Sequence, residues 1–335
     1  MSPHESVSTP VEPPRAARMG GVGILFGLAS SLGFSLAGPF GKALADGGWS
    51  PVATTMVRTG IATVLLIVPA ILAWRAARPT RRDARSWVVD LLIYGILGVA
   101  GVQVFFYYGI QYAPVAIVLL IEFTAPVLLV AWSWLRTGIR PPGRVFAGAA
   151  LAVVGLALVI GVVGGGGVSG DVRPLGLVFA AAGAVCLACF FRLAEAHPHR
   201  RPVPMLTLAG GGLSIGFVTC AVLAALGLLP VRATFAQVPF GGGEAAWWLP
   251  AAGLGLGAAV VAYVFGALAV RRLGSRKASF LGLSEVLFAA VISWIMLGQA
   301  LTLIQGLGAL AVLAGVVLVQ AADAQPESAS VAAVG

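Results

Sequence analysis

The sequence predicts an all-α polytopic membrane protein: ten transmembrane helices arranged as two inverted five-helix repeats. Three observations carry that expectation. Hydrophobic residues fill 59% of 335 positions while charged residues fill only 10%, and mean hydropathy is +0.99. A soluble domain carries roughly 25% charged residues, so this chain lacks the polar surface needed to face water on all sides. Apolar runs of spanning length recur along most of the chain. The basic residues fall in alternate connections between those runs.

A spanning helix needs about 20 mostly apolar residues. Such runs lie near 20–44, 51–74, 87–110, 114–135 and 144–163 in the first half, and near 174–194, 203–229, 246–270, 277–298 and 301–321 in the second. Each must pair its own backbone groups within the bilayer, which at this length means helix. Runs this closely spaced exclude a signal peptide followed by a soluble domain. Residues 1–18 and 322–335 read as cytoplasmic tails of disordered composition.

With the N-terminus inside, 17 Arg and Lys fall in cytoplasmic segments and 3 (Lys42, Arg173 and Arg232) on the opposite side; the last of the 21 is Arg58, within the second span. The positive-inside rule then predicts a multi-pass protein of the inner (cytoplasmic) membrane with both termini in the cytoplasm. Scattered in this way, a net charge of +9 gives no single basic surface for nucleic acid. The solvating partner is the lipid bilayer.

The glycine-rich residues 164–173 divide the chain near its middle. No strand precedes them and no Lys-Ser/Thr follows, so they read as a linker rather than a phosphate-binding loop. The halves, 19–163 and 174–321, read as copies of one unit. An offset of 160 pairs Trp87 with Trp247, Phe105 with Phe265, Ser133-Trp134 with Ser293-Trp294, Gly148 with Gly308 and Gly155 with Gly315. An offset of 153 pairs Gly23, Phe26 and Ala29 with Gly176, Phe179 and Ala182. Five spans per copy is an odd number, so the copies cross the membrane in opposite senses. Such repeats place a solute site at their interface near mid-bilayer.

Neither redox nor metal chemistry is expected. Cys186 and Cys189 have C-x-x-C spacing but lie inside a span, and His4, His197 and His199 all lie outside the spans. No H-E-x-x-H, paired aspartates or Ser/His dyad at depth supports an intramembrane enzyme, and buried charges would be unusual in a membrane assembly protein without transport activity. No cofactor is implied.

Ionisable groups within apolar spans point instead to a pathway, because placing one at a helix centre costs about 2.5–3.5 kcal/mol on insertion scales. Three stand out: Arg58, Glu122 and Glu285. Pro126 follows Glu122 by four residues and removes the N–H that the Glu122 carbonyl would accept. Gln103, Thr124, Tyr263 and Ser284 are the further polar groups that such a cavity would use, and Gln103 and Tyr263 are equivalent at the 160 offset. Arg58 and Glu122 lie at matching helical depth and are expected to face each other as an ion pair.

These residues resemble a known family. The 5+5 layout, Thr55-Met56-Val57-Arg58-Thr59-Gly60 in the second span, and Leu297-Gly298-Gln299 through Gly308 and Gly315 are similar to EamA-type transporters of the drug/metabolite transporter superfamily. Tyr108-Gly109-Ile110-Gln111, Glu122-Phe123-Thr124-Ala125-Pro126 and Ser284-Glu285 are similar to its threonine/homoserine exporter branch. Val286 stands where the family has proline, and Gln299 where it has an acidic residue. The resemblance implies a secondary transporter working by alternating access, with efflux of amino acids or related small solutes. No nucleotide-binding loop is present, so a solute or proton gradient is the expected driver.

Overall fold

The computed structural model describes residues 15–138, 140–160, 172–195 and 202–323. Most of the linker and of both expected tails lies outside that set, although helix already begins at Arg15, inside the stretch read as tail. In chain order the helices are α1 (Arg15–Ser35), α2 (Ala37–Asp46), α3 (Pro51–Ala77), α4 (Arg81–Ile93), α5 (Val102–Gly109), α6 (Val115–Glu122), α7 (Ala125–Thr137) and α8 (Gly143–Ile160). There follow α9 (Pro174–Glu195), α10 (Met205–Ala225), α11 (Trp248–Ala252), α12 (Ala262–Leu273), α13 (Ser275–Gly282), α14 (Ser284–Leu297) and α15 (Leu303–Asp323). Among the described residues, seven helices are long and apolar enough to cross a membrane, at the positions read as spans one to four and six to eight. At the fifth, ninth and tenth positions stand shorter apolar helices.

Local chemistry explains the boundaries. Ser50 caps α3, accepting from Ala53 N–H at 3.3 Å, and Pro51 occupies the first turn, where its missing N–H is harmless. Thr80 and Asp83 form a reciprocal capping box at α4. The fourth span breaks between α6 and α7, where Pro126 cannot donate to Glu122. The ninth breaks between Gly282 and Ser284 without a proline. There Ser284 Oγ donates to Leu281 O at 2.7 Å, as Thr124 Oγ1 does to Ile121 O at 2.6 Å. These two breaks obey the 160 offset.

Two π-helical segments, Tyr94–Gly101 and Gly253–Val261, interrupt the third and eighth spans and end at that same offset. Single π turns inside α-helices are frequent at functional sites. Nothing in the hydropathy pattern announces them.

Helices α8 and α15 pack at backbone distance. A Cβ on Gly148 would lie 2.7 Å from Gly315 O, and one on Gly155 would lie 2.6 Å from Gly308 O; Gly308 and Gly315 meet their partners reciprocally. The pairing runs antiparallel, so each glycine meets the repeat-equivalent of the other glycine on its own helix. Phe26 on Phe265 (5.5 Å) and Phe179 on Phe105 (6.4 Å) swap in the same way. Gly155→Leu is therefore expected to destabilise the protein by about 1–3 kcal/mol through overpacking. Gly306→Ala on the same helix, which would meet nothing within 4 Å, should not lower the thermal midpoint, since alanine favours helix over glycine. Equal midpoints for the two variants would show that this close approach is dispensable.

One element departs from an all-α reading. Strands β1 (Gln237–Phe240) and β2 (Gly243–Ala246) form an antiparallel hairpin. Its turn residues Gly241 and Gly242 take φ of +60° and +83°, which side chains disfavour. The connection strapped here is well tied. Trp49 Nε1 donates to Thr234 O at 2.8 Å, Arg232 N–H donates to Ser50 Oγ at 3.0 Å, and Val238 is fully buried against Gly47.

Candidate functional site

The site begins with Arg58, which α3 carries into the interior with only 2% of its surface exposed. A buried guanidinium is tolerated when its donors find acceptors, and three are provided. Nη1 donates to Gln103 Oε1 and, at 3.3 Å, to Tyr107 OH; Nη2 donates to Ala258 O at 2.7 Å. Gln103 and Tyr107 lie one turn apart on α5, so they present to one face. Ala258 lies in the second π segment, and its carbonyl serves Arg58 as an acceptor. A π turn, unlike a regular one, shifts the backbone ladder locally.

Glu122, the last residue of α6, is 6% exposed, and its Oε1 is buried with no hydrogen-bond partner among the described residues. It abuts Gly183 on α9, where a Cβ would collide with the carboxylate oxygen. Glycine at 183 is thus what leaves the carboxylate its room.

Arg58, Gln103, Glu122 and Glu285 line one cavity of about 200 Å³. Phe34, Phe106, Phe123 and Leu187 supply much of its apolar wall. Pockets for drug-sized ligands run from about 300 to 1,000 Å³, so this cavity fits a smaller solute. Its polar groups could hold a cationic amine and a carboxylate, but the described residues include no group of three or more His, Cys, Asp or Glu arranged to hold a metal.

Of the eight residues expected to form a pathway, the cavity therefore gathers four. Thr124 and Ser284 spend their hydroxyls on carbonyls of their own spans. Pro126 shapes the break beside Glu122, and Tyr263 stands behind the wall, packed edge-on against Phe34 at 4.9 Å. The expected Arg58–Glu122 ion pair does not form. Equal depth fixes height along two helices but not direction around them, and three oxygens claim the guanidinium first. Sequence reasoning missed Tyr107, although an aromatic residue one turn from Gln103 was the available signal. It also missed Gly183 and the Ala258 carbonyl, for which a linear sequence carries none.

Gln299, at the position where an acidic residue was expected, has a structural duty. Its Oε1 accepts from Val115 N–H at 3.2 Å, at the otherwise unpaired start of α6.

Comparison with known proteins identifies the family. The model of the EamA-like transporter family matches the chain twice, over residues 21–161 and 174–321. The chain belongs to the EamA-like transporter family. It is a multi-pass membrane transporter of small solutes and not an enzyme. Among curated relatives, proteins named threonine/homoserine exporter RhtA from Salmonella typhimurium (strain LT2) and Escherichia coli (strain K12) are each 30% identical over 267 residues, 78% of either chain. A solved crystal structure with 20% identity aligns with a TM-score of 0.54 over 88% of this chain and 94% of that one. At that identity it supports the fold alone.

Proposed function

We propose that the protein exports small amino acids, binding the substrate ammonium at Glu122 in the central cavity. The observation that carries this reading is Glu122, which lines a cavity of about 200 Å³ and whose Oε1 is buried with no hydrogen-bond partner among the described residues. A buried carboxylate oxygen without a donor is an incomplete site, and a primary ammonium supplies the missing donors. The relatives named threonine/homoserine exporters point to the same class of cargo. Arg58 retains N–H donors beyond the three it spends on protein, enough to meet the substrate carboxylate.

The frame for this activity is ten spans in two inverted repeats, with both termini in the cytoplasm and the protein in the inner membrane. Support comes from the 17-to-3 charge asymmetry, the two family matches, the π segments at one offset and the reciprocal glycine contacts of α8 and α15. Alternating access then moves one repeat against the other around the cavity. Every residue of α6, the outer half of the fourth span, is buried. In α7, the inner half, only Ala125 is. That contrast fits an outer half enclosed by the bundle and an inner half lying at the lipid-facing edge of the bundle.

Glu285, the second carboxylate of the cavity, is the group we assign to proton coupling. Glu285→Gln is expected to cut efflux of labelled threonine from preloaded cells and to abolish its pH dependence, with membrane abundance near normal. Unchanged efflux and an unchanged pH profile would remove Glu285 from the mechanism.

A further inference from the structure

We infer that the groove between α7 and α9 is a binding site for one anionic phospholipid, whose phosphate sits on Arg136 and Arg192. A cavity of about 710 Å³ runs between the two helices, walled by residues such as Leu128, Trp132 and Leu135 on one side and Val185 on the other. These are exposed apolar side chains: Trp132 is 57% and Leu135 82% exposed. In a membrane that surface faces hydrocarbon. Both arginines line the same cavity, each in the last turn of its helix. Neither forms a hydrogen bond or ion pair among the described residues.

Helix geometry agrees with a lipid. From Leu128 to Arg136 is eight residues, or roughly 12 Å at 1.5 Å per residue. Half of a hydrocarbon core of about 30 Å is roughly 15 Å, so the groove spans the acyl region of a single leaflet, with its charged end at the headgroups. Basic pockets between spanning helices on the cytoplasmic side bind anionic headgroups, and two guanidinium forks match phosphate oxygens better than point charges do. The helix C-termini by themselves favour cations, which accounts for one arginine on each helix. It does not account for both bordering one apolar groove. The lipid would also cover α7, whose contact with the bundle is otherwise slight: Ala125 alone is buried. Assigning the groove to the inner leaflet rests on the orientation proposed above; the match of groove and lipid does not.

The test is native mass spectrometry of purified protein with phosphatidylglycerol or phosphatidylethanolamine added in detergent. The wild type is expected to retain phosphatidylglycerol in preference to the zwitterionic lipid. Arg136→Gln with Arg192→Gln should weaken that retention on the order of tenfold, while Arg75→Gln with Arg78→Gln should leave it intact. A thermal midpoint near that of the wild type establishes that the double variant is folded, and Arg136→Lys with Arg192→Lys, which keeps the charge, should retain more lipid than the glutamine pair. Equal retention of the two lipids would mean a groove filled by any acyl chain, and overturns the inference. So would undiminished phosphatidylglycerol in the glutamine pair, or a dimer crosslinked through cysteines at Trp132, which would identify a second copy as the occupant. Transport failure in the Glu122 or Glu285 variants leaves the lipid result untouched, so the two readings fail separately.

Discussion

Glu122→Gln is expected to abolish export while the protein still reaches the membrane in near-normal amount. Glutamine keeps the volume of the side chain and removes the charge that an ammonium needs. A hydrogen bond to a charged group contributes about 1.5–3 kcal/mol, which corresponds to roughly a tenfold to hundredfold loss of binding. Because Oε1 has no hydrogen-bond partner among the described residues, the substitution strands no protein donor, and it removes a buried charge, so the chain should still fold. Gly183→Ala provides an independent approach, since its Cβ would enter the space of the carboxylate. It should lower export with Glu122 still present. Efflux from preloaded cells, normalised to membrane abundance, measures both. Normal export by Glu122→Gln would mean that this carboxylate only fills space.

Arg58→Ala is expected to act on folding first. It leaves Gln103 Oε1, Tyr107 OH and Ala258 O around an emptied site. An unsatisfied buried acceptor costs about 1–3 kcal/mol, and several together approach the whole stability of a typical domain, about 5–15 kcal/mol. Folded abundance should therefore fall sharply. The exchange of Arg58→Glu with Glu122→Arg should do no better than the single reversals, because the three oxygens would then face a carboxylate. Fluorescence-detected size exclusion of tagged variants reads this directly. Recovery in the exchanged protein would instead indicate a direct Arg58–Glu122 partnership.

The contrast between those two residues illustrates what a sequence can convey here. Composition and apolar run length placed the helical segments closely, because hydrocarbon leaves the backbone few alternatives. Arg58, Glu122 and Glu285 were conspicuous for the same reason: charge at depth demands an explanation. Partner choice was not legible. It depends on rotation about each helix axis, which hydropathy does not encode, and so Arg58 was assigned to Glu122 when Gln103, Tyr107 and a π-turn carbonyl hold it. The role of Gly183 emerges only when α9 is laid against α6. The hairpin of β1 and β2 was passed over because it belongs to a connection, although Gly241-Gly242-Gly243 marked its turn.

The most direct measurement is counterflow in vesicles. Purified protein is reconstituted in liposomes loaded with unlabelled threonine, and labelled threonine is supplied outside. A cavity that binds the ammonium at Glu122 predicts transient accumulation of label by the wild type, none by Glu122→Gln, and competition by other small amino acids but not by their N-acetyl derivatives. Accumulation equal in the two proteins, or competition by the N-acetyl derivatives as strong as by the free amino acids, would contradict it.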